Sequence, residues 1–234
     1  MLEVRSLDAF YGDSHILHGV SVAVPEGARV AVLGRNGAGK TTLLKSIMNA
    51  GPRVAGEVIW RGRELGNTPA FRRARLGIAL VPEDRRIFDH LTVRENVAIA
   101  AYGARPGGAT FDPMTVIEKI PMLKPLADRL GAAMSGGQQQ MLAVARGIAA
   151  APALMMLDEP TEGLAPRIVE DMAVGIAETC AREGVGLLLC EQNIWFARRC
   201  TDRVYVIDTG RIVFEGDWME FDADPAVATR YLAV

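Results

Sequence analysis

Apolar and polar positions follow two patterns along the chain. Residues 2–7 and 16–24 alternate apolar and polar side chains, which predicts strands of a small antiparallel layer. Short continuous apolar runs follow at 30–33, 78–81, 153–157 and 186–190. Runs of this kind are typical of strands that are buried on both faces of a parallel sheet. The pattern therefore predicts an α/β fold with a parallel-sheet core and an N-terminal antiparallel layer.

The middle of the chain has the spacing of helices. Thr92 and Glu95 fit a capping box, and we expect a helix from there to about Tyr102. A Gly/Pro-rich loop is expected over 103–111, and Asp112-Pro113 is typical of the first turn of another helix.

We predict a single domain over residues 1–234. Within it, a helical subdomain at 89–150 is inserted into an α/β core formed by 1–88 and 151–234. The core is expected to end with a strand pair around Thr209-Gly210 and short helices.

One stretch after the first buried run carries a chemical motif of the form G-x-x-x-x-G-K-[ST]. It consists of Gly34, Arg35, Asn36, Gly37, Ala38, Gly39, Lys40, Thr41 and Thr42. In a strand, glycine loop and helix, backbone N–H groups and the helix N-terminus surround a phosphate. Lys40 is expected to reach the β- and γ-phosphates of a nucleoside triphosphate, and Thr41 to place its hydroxyl on Mg²⁺. The helix that follows is expected to end at Gly51.

Polar side chains follow the other buried runs. Asp158 and Glu159 come after the third run, Glu83 after the second and Gln192 after the fourth. Ligands of open α/β sheets lie beyond the carboxyl ends of the strands. Asp158 is therefore expected to hold Mg²⁺, and Glu159 to accept a proton from an attacking water. Glu83 is expected near the γ-phosphate and its metal, and Gln192 in the same crevice.

Two further segments are candidates for nucleotide contact. Tyr11 precedes the glycine loop and can stack on an adenine ring, although a half-buried tyrosine at a strand end is the alternative. Ser135, Gly136, Gly137 and Gln138 open a helix and can form a second anion site. On its own this short sequence fits a plain helix cap better.

Composition limits the class of protein. The net charge of −2 gives no general attraction to nucleic acid, and we predict no nucleic-acid partner. Arg72, Arg73 and Arg75 form a basic cluster, which is expected to be a solvated helix face. Three widely spaced cysteines favour a reducing, intracellular compartment. The longest uncharged apolar run, 147–157, is too short to span a bilayer.

Taken in order, these segments resemble the ATP-binding subunit of an ATP-binding cassette (ABC) transporter. The resemblance rests on Tyr11, the glycine loop, Ser135 to Gln138 and the strand that ends at Asp158-Glu159. Three local stretches, 81–88, 161–166 and 190–193, are similar to the second ATPase subunit of branched-chain amino-acid importers. The resemblance implies a P-loop NTPase cassette with a RecA-like core and an ATPase activity coupled to transport.

The resemblance also implies partners and a location. In this family two cassettes enclose two ATP molecules head to tail, and the partner's Ser135 to Gly137 segment completes each site. The partner cassette is expected to be a different chain. Transmembrane permease subunits would bind a groove near residues 83–88, and a solute-binding protein would act indirectly. The subunit would then lie peripherally on the cytoplasmic face of the inner or plasma membrane.

Three positions depart from the broad family pattern. The family usually has glutamine where Glu83 stands, histidine where Gln192 stands and aspartate where Ala165 stands. Gln192 can still donate a hydrogen bond, but it cannot titrate. The alternatives are an ATPase of a urea or short-amide importer, a cassette ATPase that acts on DNA or ribosomes, and a small-molecule kinase.

Overall fold

The computed structural model describes residues 1–104 and 112–232. Most of the loop predicted at 103–111 therefore lies outside the described residues.

A six-stranded sheet forms the centre of the molecule, in the order β10-β9-β3-β8-β7-β6. Neighbouring strands from β9 to β6 run parallel, and β10 pairs antiparallel with β9 at the edge. The strands are β3 (Arg29–Leu33), β6 (Ile78–Val81), β7 (Leu154–Asp158), β8 (Gly186–Glu191), β9 (Arg203–Asp208) and β10 (Arg211–Asp217). All four apolar runs of the sequence are strands of this sheet, which confirms the predicted α/β core.

A second, antiparallel sheet has the order β2-β1-β4-β5. Its strands are β1 (Leu2–Tyr11), β2 (Ser14–Val24), β4 (Arg53–Trp60) and β5 (Arg63–Glu64). The predicted layer is present, but β1 and β2 extend to a tight turn, where Tyr11 pairs with Ser14. Irregular register inside β1 interrupts the alternation, which explains why the pattern indicated shorter strands.

The helices lie around these sheets. They are α1 (Lys40–Met48), α2 (Ala70–Arg75), α3 (Val93–Ala104), α4 (Met114–Ile117), α5 (Gly136–Ala149), α6 (Pro166–Glu183), α7 (Ile194–Cys200), α8 (Trp218–Ala223) and α9 (Pro225–Tyr231). Helices α3, α4 and α5 lie between β6 and β7, where helices were expected. The division of the chain into a core and a helical subdomain stays a prediction.

Helix α1 ends three residues earlier than predicted. Asn49, not Gly51, has the left-handed conformation that ends the helix, and its N–H donates to carbonyls of the last turn. The expected capping box of α3 is present, because Glu95 and Thr92 bond reciprocally.

The central sheet is buried on both faces, and β3 shows this most directly. Ala31 and Leu33 pack into a core with α5 and α6, whereas Val30 and Val32 pack into a core with α1 and the antiparallel sheet. Alternate side chains of one strand therefore serve two hydrophobic layers. This sandwich fixes the end of β3, from which the glycine loop begins.

The arginine cluster of α2 corrects one expectation. Arg72 and Arg75 are exposed, but Arg73 is only 1% exposed. Its guanidinium donates to the backbone carbonyls of Ile47, Gly66 and Thr68. Arg73 therefore links α2 to the end of α1 by buried hydrogen bonds. The local charge run did not reveal this, because the carbonyls that bind Arg73 lie outside the run.

Candidate active site

The glycine loop connects β3 to α1 as the motif requires. Gly39 has φ of 111°, in the region that favours glycine, and a Cβ there would meet Leu17. A Cβ at Gly34 would approach the carbonyl oxygen of Ile207 to 2.6 Å. Both glycines therefore allow the loop to lie against its neighbours. Lys40, the first residue of α1, is nearly completely buried under the loop.

Lys40 is the centre of a hydrogen-bonded group. Its Nζ donates to the carbonyl oxygens of Gly34 at 2.5 Å and Arg35 at 2.8 Å. The same ammonium lies 3.1 Å from Oε1 of Glu159. Gln192 donates from Nε2 to Oε2 of Glu159 at 2.9 Å and to Oδ1 of Asn36 at 2.6 Å. Four predicted site residues from three segments, Lys40, Glu159, Gln192 and Asn36, thus converge at one point.

A second pair joins α1 to β7. The Thr41 hydroxyl donates to Oδ1 of Asp158 at 3.1 Å. Burial raises the pKa of the Asp158 carboxyl to about 6, against the hydrogen bond from Thr41, which lowers it. The negative charges of Glu159 and Glu83 raise it further. A cation at this position would favour the ionised carboxylate.

Glu83 faces the same acidic group from the end of β6. Burial raises the pKa of Glu83, and the neighbouring carboxyl of Glu162 adds to this by its charge and a hydrogen bond. Glu159 and Asp84 contribute smaller repulsions. Glu162 was not predicted as a site residue, since its exposed position in a turn gives no signal by itself.

Tyr11 lies at the end of β1 and is 42% exposed. A Cβ at Gly51 would lie 3.8 Å from its ring, so the ring stands beside the segment that follows α1. The exposed ring is available for stacking on a base. The prediction that it binds adenine is not tested by this geometry.

The Ser135 to Gln138 segment forms the N-terminus of α5 and lies apart from the Lys40 group. Ser135 is exposed, and it forms a capping box with Gln138. Within residues 1–104 and 112–232, no hydrogen bond connects this segment to Lys40, Asp158 or Glu159. A single copy of the chain therefore does not unite the two predicted anion sites.

Glu191 was not given a role from the sequence, although it precedes Gln192. It is 2% exposed, and its carboxylate accepts hydrogen bonds from Thr161, Gln192 and Asn193. Burial raises the pKa of Glu191, and these hydrogen bonds oppose the rise. A carboxylate at the carboxyl end of an apolar run was the available signal.

The fold and this arrangement of side chains define a phosphate-loop nucleotide-binding ATPase. Residues 17–162 match the family model described as ABC transporter. The chain is 39% identical over 232 residues to the high-affinity branched-chain amino acid transport ATP-binding protein BraG of Pseudomonas aeruginosa, with 99% of each chain covered. It is 35% identical over 216 residues to the probable branched-chain amino acid transport ATP-binding protein LivF of Archaeoglobus fulgidus, with 92% of each chain covered. The chain therefore belongs to the ABC transporter family, and its activity is ATP hydrolysis.

Solved structures give the same fold. A chain described as the ATP binding subunit of an ABC transporter is 26% identical, with a TM-score of 0.81 and coverage of 97% of this chain and 94% of that one. The ATP-binding cassette MJ0796, in a dimeric post-hydrolysis state bound to ADP and Pi, has a TM-score of 0.83 at 21% identity, covering 93% of this chain and 98% of that one. The predicted family and fold are confirmed, and the roles of individual residues stay predictions.

Proposed function

We propose that this protein is the ATPase subunit that energises import of branched-chain amino acids through separate membrane subunits. The convergence of Lys40, Glu159 and Gln192 beside the glycine loop carries the ATPase part of the proposal. The likeness to BraG and LivF supports the choice of solute class. An ATPase of a urea or short-amide importer is the alternative.

The side chains divide the reaction between them. Lys40 and the N–H groups of the glycine loop bind the β- and γ-phosphates, and Tyr11 stacks on the adenine. Glu159 accepts the proton of the attacking water. The water oxygen bonds to the γ-phosphorus as the bond from that phosphorus to the oxygen shared with the β-phosphate breaks, and ADP leaves. The two N–H groups of Gln192 bond to Asn36 and Glu159, and one of them turns to the γ-phosphate when nucleotide binds. A glutamine in this place keeps its donor across the physiological pH range.

The hydroxyl of Thr41 and the carboxylate of Asp158 fit a magnesium ion. Both are hard oxygen ligands, and their oxygens lie 3.1 Å apart between the start of α1 and the end of β7. Glu83 brings a third oxygen ligand from the carboxyl end of the neighbouring parallel strand, β6. An ion held there would supply positive charge that offsets the negative charge of the phosphate oxygens. The surplus of carboxylates here, with raised pKa values at Asp158 and Glu83, supports a cation at this position.

Each site is completed by a second cassette in a head-to-tail dimer. Ser135, Gly136 and the following N–H groups form an exposed helix N-terminus, which suits an anion carried by another subunit. ATP then stabilises the closed dimer because it binds that state better than the open one. A tenfold preference at each site corresponds to about 1.4 kcal/mol. We propose a partner cassette of different sequence, as the resemblance implies.

Membrane subunits dock on a groove between the proposed helical subdomain, 89–150, and the core. Its walls include the exposed apolar side chains of Phe71, Phe88 and Ile99. Arg75 and Arg146 add positive charge. No helix of the described residues is long and apolar enough to cross a bilayer. As the family resemblance implies, we propose peripheral attachment to the cytoplasmic face of the membrane, with a solute-binding protein acting through the permease.

Reconstitution in vesicles tests the proposal. The chain is co-purified in mild detergent with its permease subunits, and ATP-driven uptake of labelled leucine and labelled urea is compared. Leucine uptake that requires Mg²⁺ and is lost in Lys40→Ala supports the proposal. Uptake of urea alone would show that the protein serves a urea or short-amide importer instead. Absence of Mg²⁺-dependent ATP binding would overturn the ATPase roles assigned here.

A further inference from the structure

The carboxylate of Glu191 is surrounded by four hydrogen-bond donors. Oε1 accepts from the backbone N–H of Thr161 at 3.1 Å and from its hydroxyl at 2.6 Å. Oε2 accepts from the N–H groups of Gln192 at 2.8 Å and Asn193 at 2.9 Å. All of these donors are neutral. These bonds partly offset the loss of water around the buried carboxylate.

These bonds join segments that are distant in the chain. Thr161 begins the loop 161–165, and Gln192 begins the turn into α7. The backbone oxygen of Glu191 also accepts from the N–H of Gly34 at 3.3 Å, so the glycine loop is anchored to the same residue. One residue at the end of β8 thus holds three loops of the site together.

Each of the two segments that the carboxylate joins contacts a part of the proposed site. Gln192 contacts Glu159 directly. The loop 161–165 leads into α6, whose Ile168 lies against the start of α5. A Cβ at Gly137 would approach Cδ1 of Ile168 to 2.5 Å, so the two helix ends are in close contact. A continuous packed path therefore runs from Gln192 to the proposed second anion site.

We propose that Glu191 is a positioning residue for ATP hydrolysis. Its carboxylate accepts hydrogen bonds from both Gln192 and Thr161, and so joins Gln192 to the loop 161–165. The Gln192 side chain, which contacts the γ-phosphate in the proposed function, is thereby held at a fixed position relative to the start of α5. The proposal rests on the proposed function, since it assigns Gln192 to the γ-phosphate. A carboxamide cannot replace the carboxylate, because its NH₂ group would face N–H donors.

The first test compares Glu191→Gln with the unchanged subunit in the assembled complex. Turnover is normalised to the amount of bound nucleotide, so that a smaller folded fraction does not count as slower chemistry. We expect kcat to fall at least about tenfold, as for the loss of charge-assisted bonds. KM for ATP should change less than about twofold, because Lys40 and the loop amides are untouched.

Two substitutions of Thr161 provide a matched pair in case Glu191→Gln does not fold. Thr161→Val keeps the shape and removes the hydroxyl, and kcat is expected to fall about fivefold, the size of one net hydrogen bond. Thr161→Ser keeps the hydroxyl and should restore turnover to within about twofold.

A double-mutant cycle separates positioning from general stabilisation. If Glu191 acts through Gln192, Glu191→Gln should lower kcat by less than about twofold in a Gln192→Ala background. A merely structural role would multiply the two losses instead and would overturn the proposal. Unchanged kcat in both Glu191→Gln and Thr161→Val would also overturn it while leaving the ATPase proposal intact, because the parent complex still hydrolyses ATP.

Discussion

The ammonium of Lys40 and the carboxylate of Glu159 form a buried ion pair, with Nζ 3.1 Å from Oε1. Only 2% of the lysine side chain and 9% of the glutamate side chain are exposed. The cation assigned to the triphosphate is therefore paired with the carboxylate assigned as the base. Because both groups are buried, water screens their attraction only weakly, and each charge strongly affects the electrostatic energy of the other. Binding of a γ-phosphate must share Lys40 with Glu159.

Glu159→Gln is expected to uncouple binding from hydrolysis. It removes a negative charge beside the triphosphate and leaves Lys40 free for phosphate, so the Kd for ATP should fall several-fold. It also removes the proton acceptor, so turnover should fall at least about 100-fold. Nucleotide binding and phosphate release in the assembled complex measure both effects.

Glu162→Gln is the matched control for this experiment. It removes a carboxylate of the same acidic group that has no contact with Lys40 in the described structure. It should keep hydrolysis and change the affinity for ATP less than Glu159→Gln does. Wild-type turnover in Glu159→Gln would refute the assignment of the base.

The pH profile of kcat should contain no step that arises from Gln192. It donates to both Asn36 and Glu159, and its amide does not titrate. Gln192→His introduces an imidazole, and kcat should then gain a step near pH 6.5 that the parent lacks. The profiles of kcat from pH 5.5 to 8.5 are compared, so that groups common to both proteins cancel. Identical profiles would count against a role for this position in the rate.

Ionisation of Asp158 should cost folding stability. Its pKa is raised from 3.8 to about 6, so between these values the folded protein holds a proton that the unfolded chain has released. The free energy of unfolding therefore falls as the pH rises through this window. A difference of about two pKa units corresponds to about 3 kcal/mol above pH 7.

Asp158→Asn tests this linkage. In buffer with a metal chelator at pH 7.5, the variant should be more stable than the parent by up to about 3 kcal/mol, and at pH 4.5 by about 1 kcal/mol or less. The asparagine can still accept the hydrogen bond from Thr41. Urea denaturation at the two pH values measures the difference. A stability gain that is equal at both values would show that packing, not charge, is responsible.

Much of the site could be predicted because its residues follow buried strands. Asp158, Glu159 and Gln192 come just after apolar runs, and Lys40 ends the glycine loop that follows another run. Parallel strands bring their carboxyl ends to one edge. The direct contact between Gln192 and Asn36 also requires that β3 lies beside β8. Strand order is not written in the runs themselves, so the neighbour of each strand required the structure.

The parts that could not be predicted depend on distant backbone groups. Glu191 and Arg73 look like ordinary charged residues, and each is buried because donors or carbonyls from other segments surround it. A local pattern carries no record of such partners. The early end of α1 has a similar origin. Asn49 adopts the left-handed conformation that glycine was expected to supply, and its side-chain amide donates to the carbonyl oxygen of Thr68 at 3.2 Å.

Arg73 should be essential for stability although it lies outside the site. Its three donors bind the carbonyls of Thr68 at 2.9 Å, Ile47 at 2.5 Å and Gly66 at 2.5 Å. Burial lowers its pKa, which reflects the cost of an internal cation. Removing that cost favours an apolar replacement, but three carbonyls without donors cost about 1–3 kcal/mol each. The second effect is larger, so Arg73→Met should lower the free energy of unfolding by about 3 kcal/mol or more.

Arg72→Met is the matched control, because Arg72 is the exposed neighbour on the same helix. Its stability should lie within about 0.5 kcal/mol of the parent. Urea denaturation of the three proteins gives the comparison. Because Ile47 lies in the last turn of α1, Arg73→Met should also weaken the attachment of the C-terminal end of α1 to α2; α1 is the helix that begins at Lys40. Equal stabilities of Arg73→Met and Arg72→Met would mean that the buried guanidinium contributes no net stabilisation and that α1 is held by its apolar contacts alone.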